Sequence, residues 1–156
     1  PATVVQAIAL IGPAQVAGRI VVSMFAARAS MRTVGAAVVT AFPLAFGALA
    51  FLSLDFMTVA AVCVTYGAAN GIFTIVRGMV VPEMLSRHAY GAINGLLTVP
   101  MTLARAAAPL SAAALWGLGS SYATVLTAIL AVALVLAGGF WLAAWLSRPT
   151  LQLVHE

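Results

Sequence analysis

Residues 123–146 read ATVLTAILAVALVLAGGFWLAAWL and contain no charged side chain. A helix needs about 20 apolar residues to cross a bilayer core of about 30 Å, and this stretch exceeds that length. Similar stretches fill the rest of the chain, which is 64% hydrophobic and 6% charged with a mean hydropathy of +1.15. Soluble domains carry about 25% charged residues. The composition therefore predicts an all-α polytopic membrane helix bundle with five transmembrane helices.

Short junctions separate the predicted spans. The spans are placed at residues 3–27, 34–54, 56–76, 90–116 and 123–146. Residues 1–148 are expected to form one transmembrane unit, and residues 149–156 a cytoplasmic tail. Because the chain begins at Pro1 and no signal peptide precedes the first span, we expect a piece of a longer protein.

The arginines occupy alternate junctions. The chain has seven arginines and no lysine. Arg28 and Arg32 lie between the first and second spans, Arg77 and Arg87 between the third and fourth, and Arg148 after the fifth. The remaining two junctions have none. The positive-inside rule then predicts a multi-pass protein of the inner (plasma) membrane, with the arginine-bearing side and the C-terminus in the cytoplasm.

Polar side chains recur at helical spacing in the first, third and fourth spans only. The stripes are Gly12, Gln15, Arg19 and Ser23; Gly67, Asn70, Thr74 and Arg77; and Asn94, Thr98, Thr102 and Arg105. We expect these three spans to surround a solvated cavity, with the second and fifth spans outside them facing lipid. The predicted cavity-lining or substrate-binding residues are Arg105, Asn70, Asn94, Gln15, Arg19, Thr98 and Thr74. The predicted cytoplasmic gate or loop residues are Arg28, Arg32, Arg77, Glu83 and Arg87.

Arg105 is the most informative single residue. Counted from Tyr90, it lies about 22 Å along its helix at 1.5 Å per residue. An isolated charge at that depth costs at least about 2.5–3.5 kcal/mol. No carboxylate of the sequence lies at a matching depth. Its partner is then a helix carbonyl, water, a ligand anion or a residue of another segment; alternatively, Arg105 ties helix ends together.

The other polar and small residues have two interpretations each. Gln15, Asn70 and Asn94 either bind substrate or hydrogen-bond to neighbouring helices. The GxxxG spacings Gly91–Gly95 and Gly67–Gly71 permit close helix approach. Prolines within spans, Pro43, Pro100 and Pro109, either bend a helix beside a binding site or form a static kink.

The constellations that support catalysis are absent from the sequence. It has no paired carboxylates, no Cys/His spacing for a metal, no phosphate-binding glycine loop and no nucleophile elbow. We therefore expect no enzyme, no metal and no cofactor. Scattered arginines form no basic patch, so we expect no nucleic-acid partner despite a pI near 10.3.

Three stretches carry a resemblance to a known family. They are IGPAQVAGR at 11–19; RGMVVPE at 77–83, followed by Tyr90-Gly91; and ARAAAP at 104–109, followed by GSSY at 119–122. Together they resemble helices 8 to 12 of the major facilitator superfamily, in a bacterial branch, over nearly the whole chain. The resemblance implies the C-terminal half of a twelve-helix transporter whose missing N-terminal half is its partner.

The resemblance also implies a function. It is secondary active transport of a small-molecule substrate across the lipid bilayer by alternating access, with Arg105 favouring an anionic or polar substrate. The alternative is a non-transporting membrane scaffold or assembly subunit whose polar helix faces bind partner helices.

Overall fold

A computed structural model describes residues 2–25, 30–84, 90–119 and 121–147. Its helices are α1 (Ala2–Ala9), α2 (Ile11–Phe25), α3 (Met31–Phe51), α4 (Phe56–Met84), α5 (Tyr90–Gly119) and α6 (Tyr122–Leu146). These ranges contain no strand. Five segments are long and apolar enough to cross a membrane, the first of them combining α1 with α2. The prediction of an all-α membrane helix bundle is confirmed.

The first span is broken at Leu10, between α1 and α2. Pro13 has no backbone N–H and cannot donate to the carbonyl of Ala9. The chain tightens there, with Leu10 N donating to Ala7 O at 3.1 Å, and the helix resumes with Ala14 N donating to Leu10 O at 3.0 Å. The segment we predicted as one helix is thus two, and residues 26 and 27 of that prediction lie outside the described residues.

The other spans differ from the prediction mainly at their ends. Helix α4 continues through Arg77 to Met84, whereas the third span was predicted to end at residue 76. Helix α3 begins at Met31, so Arg32 lies within its first turn. Apolar residues on both sides of Arg77 allow α4 to continue past it.

Helix α4 lies at the centre of the bundle. It packs against α1, α2 and α3. Helix α3 in turn packs against both α4 and α6. Helix α5 makes few contacts, mainly with α4 and α6, and none of its described side chains is buried. Consecutive spans run in opposite directions. Helices α3 and α5 therefore begin, and α2, α4 and α6 end, at one end of the bundle, here called the arginine end.

Apolar side chains between α3, α4 and α6 form the core. Phe42 packs edge-on against Tyr66 and Phe73, with ring centroids 5.9 Å apart in both pairs. Ala69 and Ala133 complete the buried cluster on the facing helices. We predicted that the second and fifth spans stand outside the three striped spans. That prediction is wrong, because α3 and α6 form this core together with α4.

Helices α2 and α4 approach each other closely because glycines line their contact. A Cβ atom added at Gly67 would lie 2.6 Å from the carbonyl oxygen of Ile11, and one at Gly71 would overlap the carbonyl of Gln15. Gly18 of α2 sits equally close to the backbone of Ala68. By contrast, Cβ atoms added at Gly91 and Gly95 would meet no atom within 4 Å. Of the two GxxxG spacings, this structure uses the one in α4.

Alanine substitutions of these glycines separate the effect of close packing on stability from the effect of helix propensity. We expect Gly71→Ala to destabilise the protein by about 1–3 kcal/mol through overpacking, less a helix-propensity gain of up to about 1 kcal/mol. Gly95→Ala makes the same chemical change in open space and should be neutral or slightly stabilising. Unfolding by SDS titration in mixed micelles measures both, and equal effects would contradict the proposed α2–α4 contact.

Asp55 caps the start of α4. Its Oδ1 accepts a hydrogen bond from the backbone N–H of Thr58 at 3.3 Å, and its carbonyl accepts from Val59 N at 3.0 Å. Hydrogen bonds from Thr58 hold the pKa of Asp55 below its ordinary value of 3.8. The bond from the Thr58 hydroxyl lowers this pKa more than the bond from the backbone N–H does. A carboxylate at this position satisfies an otherwise unpaired N–H and opposes the positive end of the helix dipole.

The lowered pKa of Asp55 predicts a pH dependence. The cap stabilises the folded state fully above the ordinary pKa of 3.8 and is lost as pH falls through the lower, folded-state value. Asp55→Asn keeps a capping side chain without a titrating charge. We expect its stability to change less than that of the wild type when pH falls from neutral to below 3.8. The free energy of unfolding of both proteins is measured in micelles as a function of pH. The same pH dependence in the wild type and in Asp55→Asn would exclude a charged cap.

Candidate functional site

A polar cavity of about 450 Å³ lies between α4 and α5. Phe42 of α3 and Leu136 of α6 also line it. The full lining comprises Phe42, Asn70, Phe73, Thr74, Arg77, Gly78, Tyr90, Asn94, Met101, Arg105 and Leu136. Its size falls within the usual range of small-molecule sites, about 300–1,000 Å³. We call it the polar cavity.

Helix α4 supplies Asn70, Thr74 and Arg77 to the polar cavity from one face. Their spacing of four and three residues stacks them on successive turns. The Thr74 hydroxyl donates to the Asn70 carbonyl at 2.8 Å, which satisfies its hydrogen within the helix. The Asn70 amide and the Arg77 guanidinium, both half-buried, are left as the hydrogen-bond donors of this wall.

Helix α5 supplies the opposite wall through Asn94 and Arg105. Thr98 and Thr102, which lie between them, donate back to the carbonyls of Asn94 and Thr98 at 2.7 and 2.9 Å. The start of α5 is held to α4 by a long hydrogen bond of 3.4 Å from the Tyr90 hydroxyl to the Gly78 carbonyl. The two walls therefore meet near Tyr90. Farther along α5, Asn94 and Arg105 line the cavity opposite the α4 wall.

The polar cavity carries positive charge. Among the described residues, Arg77 and Arg105 line it and no carboxylate does. Asp55 caps the other end of α4, and the side chains of Glu83 and Glu156 lie outside the described residues. Nor does any described residue form a hydrogen bond or ion pair with either guanidinium. Two amides and two guanidiniums thus offer donors to a ligand that accepts hydrogen bonds.

The polar cavity joins some of the predicted site residues and not others. Asn70, Thr74, Asn94 and Arg105 line it together. Arg77, predicted as a gate residue, lines it as well because α4 continues past its predicted end.

Three predicted cavity residues lie elsewhere. Gln15 and Arg19 belong to α2, which packs against the glycine face of α4, and Arg19 is exposed there. Thr98 is half-buried on α5 but does not line the cavity. The first span is therefore not a wall of this cavity, contrary to prediction.

The predicted gate residues are only partly described. Arg28, Arg87 and the side chain of Glu83 lie outside the described residues. Arg32 is half-buried in the first turn of α3, and its Nη2 donates to the carbonyl oxygen of Ser147 at the end of α6. A guanidinium at a helix C-terminus satisfies a free carbonyl and opposes the negative end of the dipole.

Sequence reasoning missed several residues of the cavity wall. Phe42 and Leu136 belong to the two spans without a polar stripe, so no polar signal marked them. Met101, by contrast, lies seven residues after Asn94 and thus on the same face of α5, and this spacing could have identified it. The described residues hold no cluster of three metal-ligating side chains.

Comparison with known proteins assigns no family. No family model matches the chain, and neither a curated protein nor a solved structure matches it. Function is therefore inferred from the residues and the cavity themselves.

The contact between Arg32 and Ser147 predicts a stability effect. Removing a charged hydrogen bond between two helices should destabilise the protein by about 1–3 kcal/mol. We expect this loss for Arg32→Ala and a clearly smaller one for Arg19→Ala, because Arg19 is exposed. SDS titration in mixed micelles compares the two variants. Equal destabilisation would show that Arg32 does not hold α3 to α6.

Proposed function

We propose that this chain is the C-terminal half of a secondary active transporter of the major facilitator type. It carries a small anionic or polar solute by alternating access. The observation that supports this most is the meeting of Asn70, Asn94 and Arg105 around one cavity between two candidate membrane spans. Ionisable residues inside a membrane are expensive and are characteristic of substrate pathways.

The looseness of α5 fits such a mechanism. Helix α5 contains Pro100 and Pro109, which bracket Arg105, and none of its described side chains is buried. Proline removes a backbone hydrogen bond and lets a helix bend. Bending or rocking of α5 against α4 would open and close the polar cavity, while a partner half covers its exposed side. The arginine end would face the cytoplasm of a cell whose inner membrane holds the protein.

A second function, that of a membrane scaffold, is favoured by a different observation. Gly91 and Gly95 of α5 face open space, since a Cβ atom added at either residue would have no atom within 4 Å. Small residues on an open helix face allow another helix to approach closely. In a scaffold, the polar side chains of α5 would bind that helix in a dry interface.

Water access separates the transporter from the scaffold. With Cys63 replaced (Cys63→Ala), single cysteines are introduced as Asn94→Cys and, as a control, Val135→Cys. Val135 is 75% exposed on the apolar surface of α6, where a membrane protein meets lipid. Because only an ionised thiolate reacts, a charged thiol reagent should label the cysteine in a wet cavity far faster than the one in lipid.

The measurement is the labelling rate in native membranes containing the full-length protein. A transporter should show rapid labelling at position 94 and slow labelling at position 135. Equally slow labelling at both positions would contradict the transporter and favour a dry scaffold interface.

A further inference from the structure

Apolar cavities flank the polar cavity on both sides. One, of about 680 Å³, lies between α4, α5 and α6 towards the arginine end, and Val80, Leu97 and Phe140 help to line it. We call it the arginine-end cavity. It shares Phe73 and Arg77 with the polar cavity, so the two spaces adjoin at these side chains.

The second apolar cavity lies towards the opposite end. It also measures about 680 Å³ and is bounded by α5, α6 and the aromatic residues Phe46 and Tyr66. We call it the far-end cavity. It adjoins the polar cavity through Phe42 and Leu136 and shares no charged residue with it. The boundary between the arginine-end cavity and the polar cavity thus carries a guanidinium, that of Arg77, and the boundary with the far-end cavity carries none.

The polar cavity fits an anionic group. Guanidinium forks bind carboxylate and phosphate through paired hydrogen bonds. Arg77 and Arg105 face one cavity, and no described carboxylate compensates their charges there. An anion in the polar cavity would supply that compensation, and Asn70 and Asn94 would donate further hydrogen bonds to it.

The neighbouring apolar space decides which kind of anion fits. A hydrated inorganic ion gains nothing from the side chains of Val80, Leu97 and Phe140. A hydrocarbon body gains up to about fourfold in affinity for each CH₂ group removed from water.

We propose that the site binds an organic anion with an apolar body. Its anionic group lies in the polar cavity between Arg77 and Arg105, and its hydrocarbon body lies in the arginine-end cavity. This inference rests on the proposed function, since it names the class of solute that the same site takes.

Binding of probe molecules tests the anionic group. The full-length protein is placed in nanodiscs of zwitterionic lipid, and decanoate, decanol and inorganic phosphate are titrated in turn. Decanoate should bind most tightly, because decanol lacks the charge and phosphate lacks the apolar body. Binding of phosphate or decanol as tight as that of decanoate would overturn the proposal. Displacement of decanoate by an anionic phospholipid in the nanodisc would also overturn it, since the ligand would then be a bilayer lipid.

Arginine variants locate the anion. Arg77→Gln and Arg105→Gln should each weaken decanoate binding about tenfold or more, the usual effect of losing a charge-assisted hydrogen bond. Arg19→Gln, which removes an arginine outside the cavity, should leave binding unchanged. Arg105→Lys keeps the charge but loses the paired geometry, so its affinity should lie between those of the wild type and Arg105→Gln. Equal weakening in Arg19→Gln would show non-specific attraction to positive charge and overturn the site.

Replacing two alanines of α6 by leucine locates the apolar body. Ala143 lines the arginine-end cavity and Ala128 lines the far-end cavity. Ala143→Leu should weaken decanoate binding, and Ala128→Leu should not. In the wild type, affinity should rise from hexanoate to decanoate by up to about fourfold per CH₂ group. No dependence on chain length, or the reverse response of the two alanine variants, would overturn the assigned position of the body.

The binding and labelling experiments fail independently. A cysteine at position 94 that labels rapidly, combined with no preference for decanoate, would leave the transporter standing and overturn this inference. Arginine-dependent decanoate binding at a site that excludes the aqueous reagent would support the anion site and contradict transport.

Discussion

The close approach of α2 to α4 is the contact on which the arrangement of this bundle depends. Gly67 and Gly71 remove side chains from one face of α4, so the backbone of α2 can lie against it. On another face, Ala69 and Val76 are buried towards α3. With both faces occupied, the rotation of α4 about its axis is fixed. A further face carries Asn70, Thr74 and Arg77, and it points towards α5 across the polar cavity.

Helix α5 stands away from the rest of the bundle, and the cavities exist for that reason. Cβ atoms added at its glycines Gly91, Gly95 and Gly117 would meet no described atom within 4 Å, and its described side chains are all exposed or half-buried. If α5 were tightly packed, it would fill the polar cavity and both apolar ones. The first contact that holds α5, between the Tyr90 hydroxyl and Gly78, lies near the arginine end. Beyond it, the separation from α4 and α6 leaves room for ligand or for movement.

The sequence predicted the spans and much of the polar cavity for clear physical reasons. Lipid forces apolar stretches into helices of a set length, so hydropathy finds them whatever their neighbours are. Asn70, Thr74, Asn94 and Arg105 were also predicted together, because helical spacing alone places them on single faces. The break at Leu10 was missed, since an average over about 20 residues does not register the single N–H that Pro13 lacks.

Which helices pack against each other, and through which faces, could not be predicted in the same way. Gln15 and Arg19 form a polar stripe as regular as the others, yet α2 meets α4 through glycines and does not reach the cavity. Whether a stripe faces a cavity, lipid or another helix depends on how each helix is rotated, and local spacing carries no information about that. Phe42 illustrates the same limit, because an apolar residue on an apolar helix looks identical whether it lines a core or a site.

Among the described arginines, Arg32 differs from Arg77 and Arg105 in what it contacts. Arg32 donates to the carbonyl of Ser147 and links two helix ends, which is the structural use of a guanidinium in a membrane protein. Sequence reasoning left that same use open for Arg105. In the structure no described carbonyl or carboxylate accepts from Arg105 or Arg77, and both face a cavity. A charge placed at membrane depth without a protein partner needs water or an anion to compensate it. The adjoining apolar space favours an anion that can use both environments.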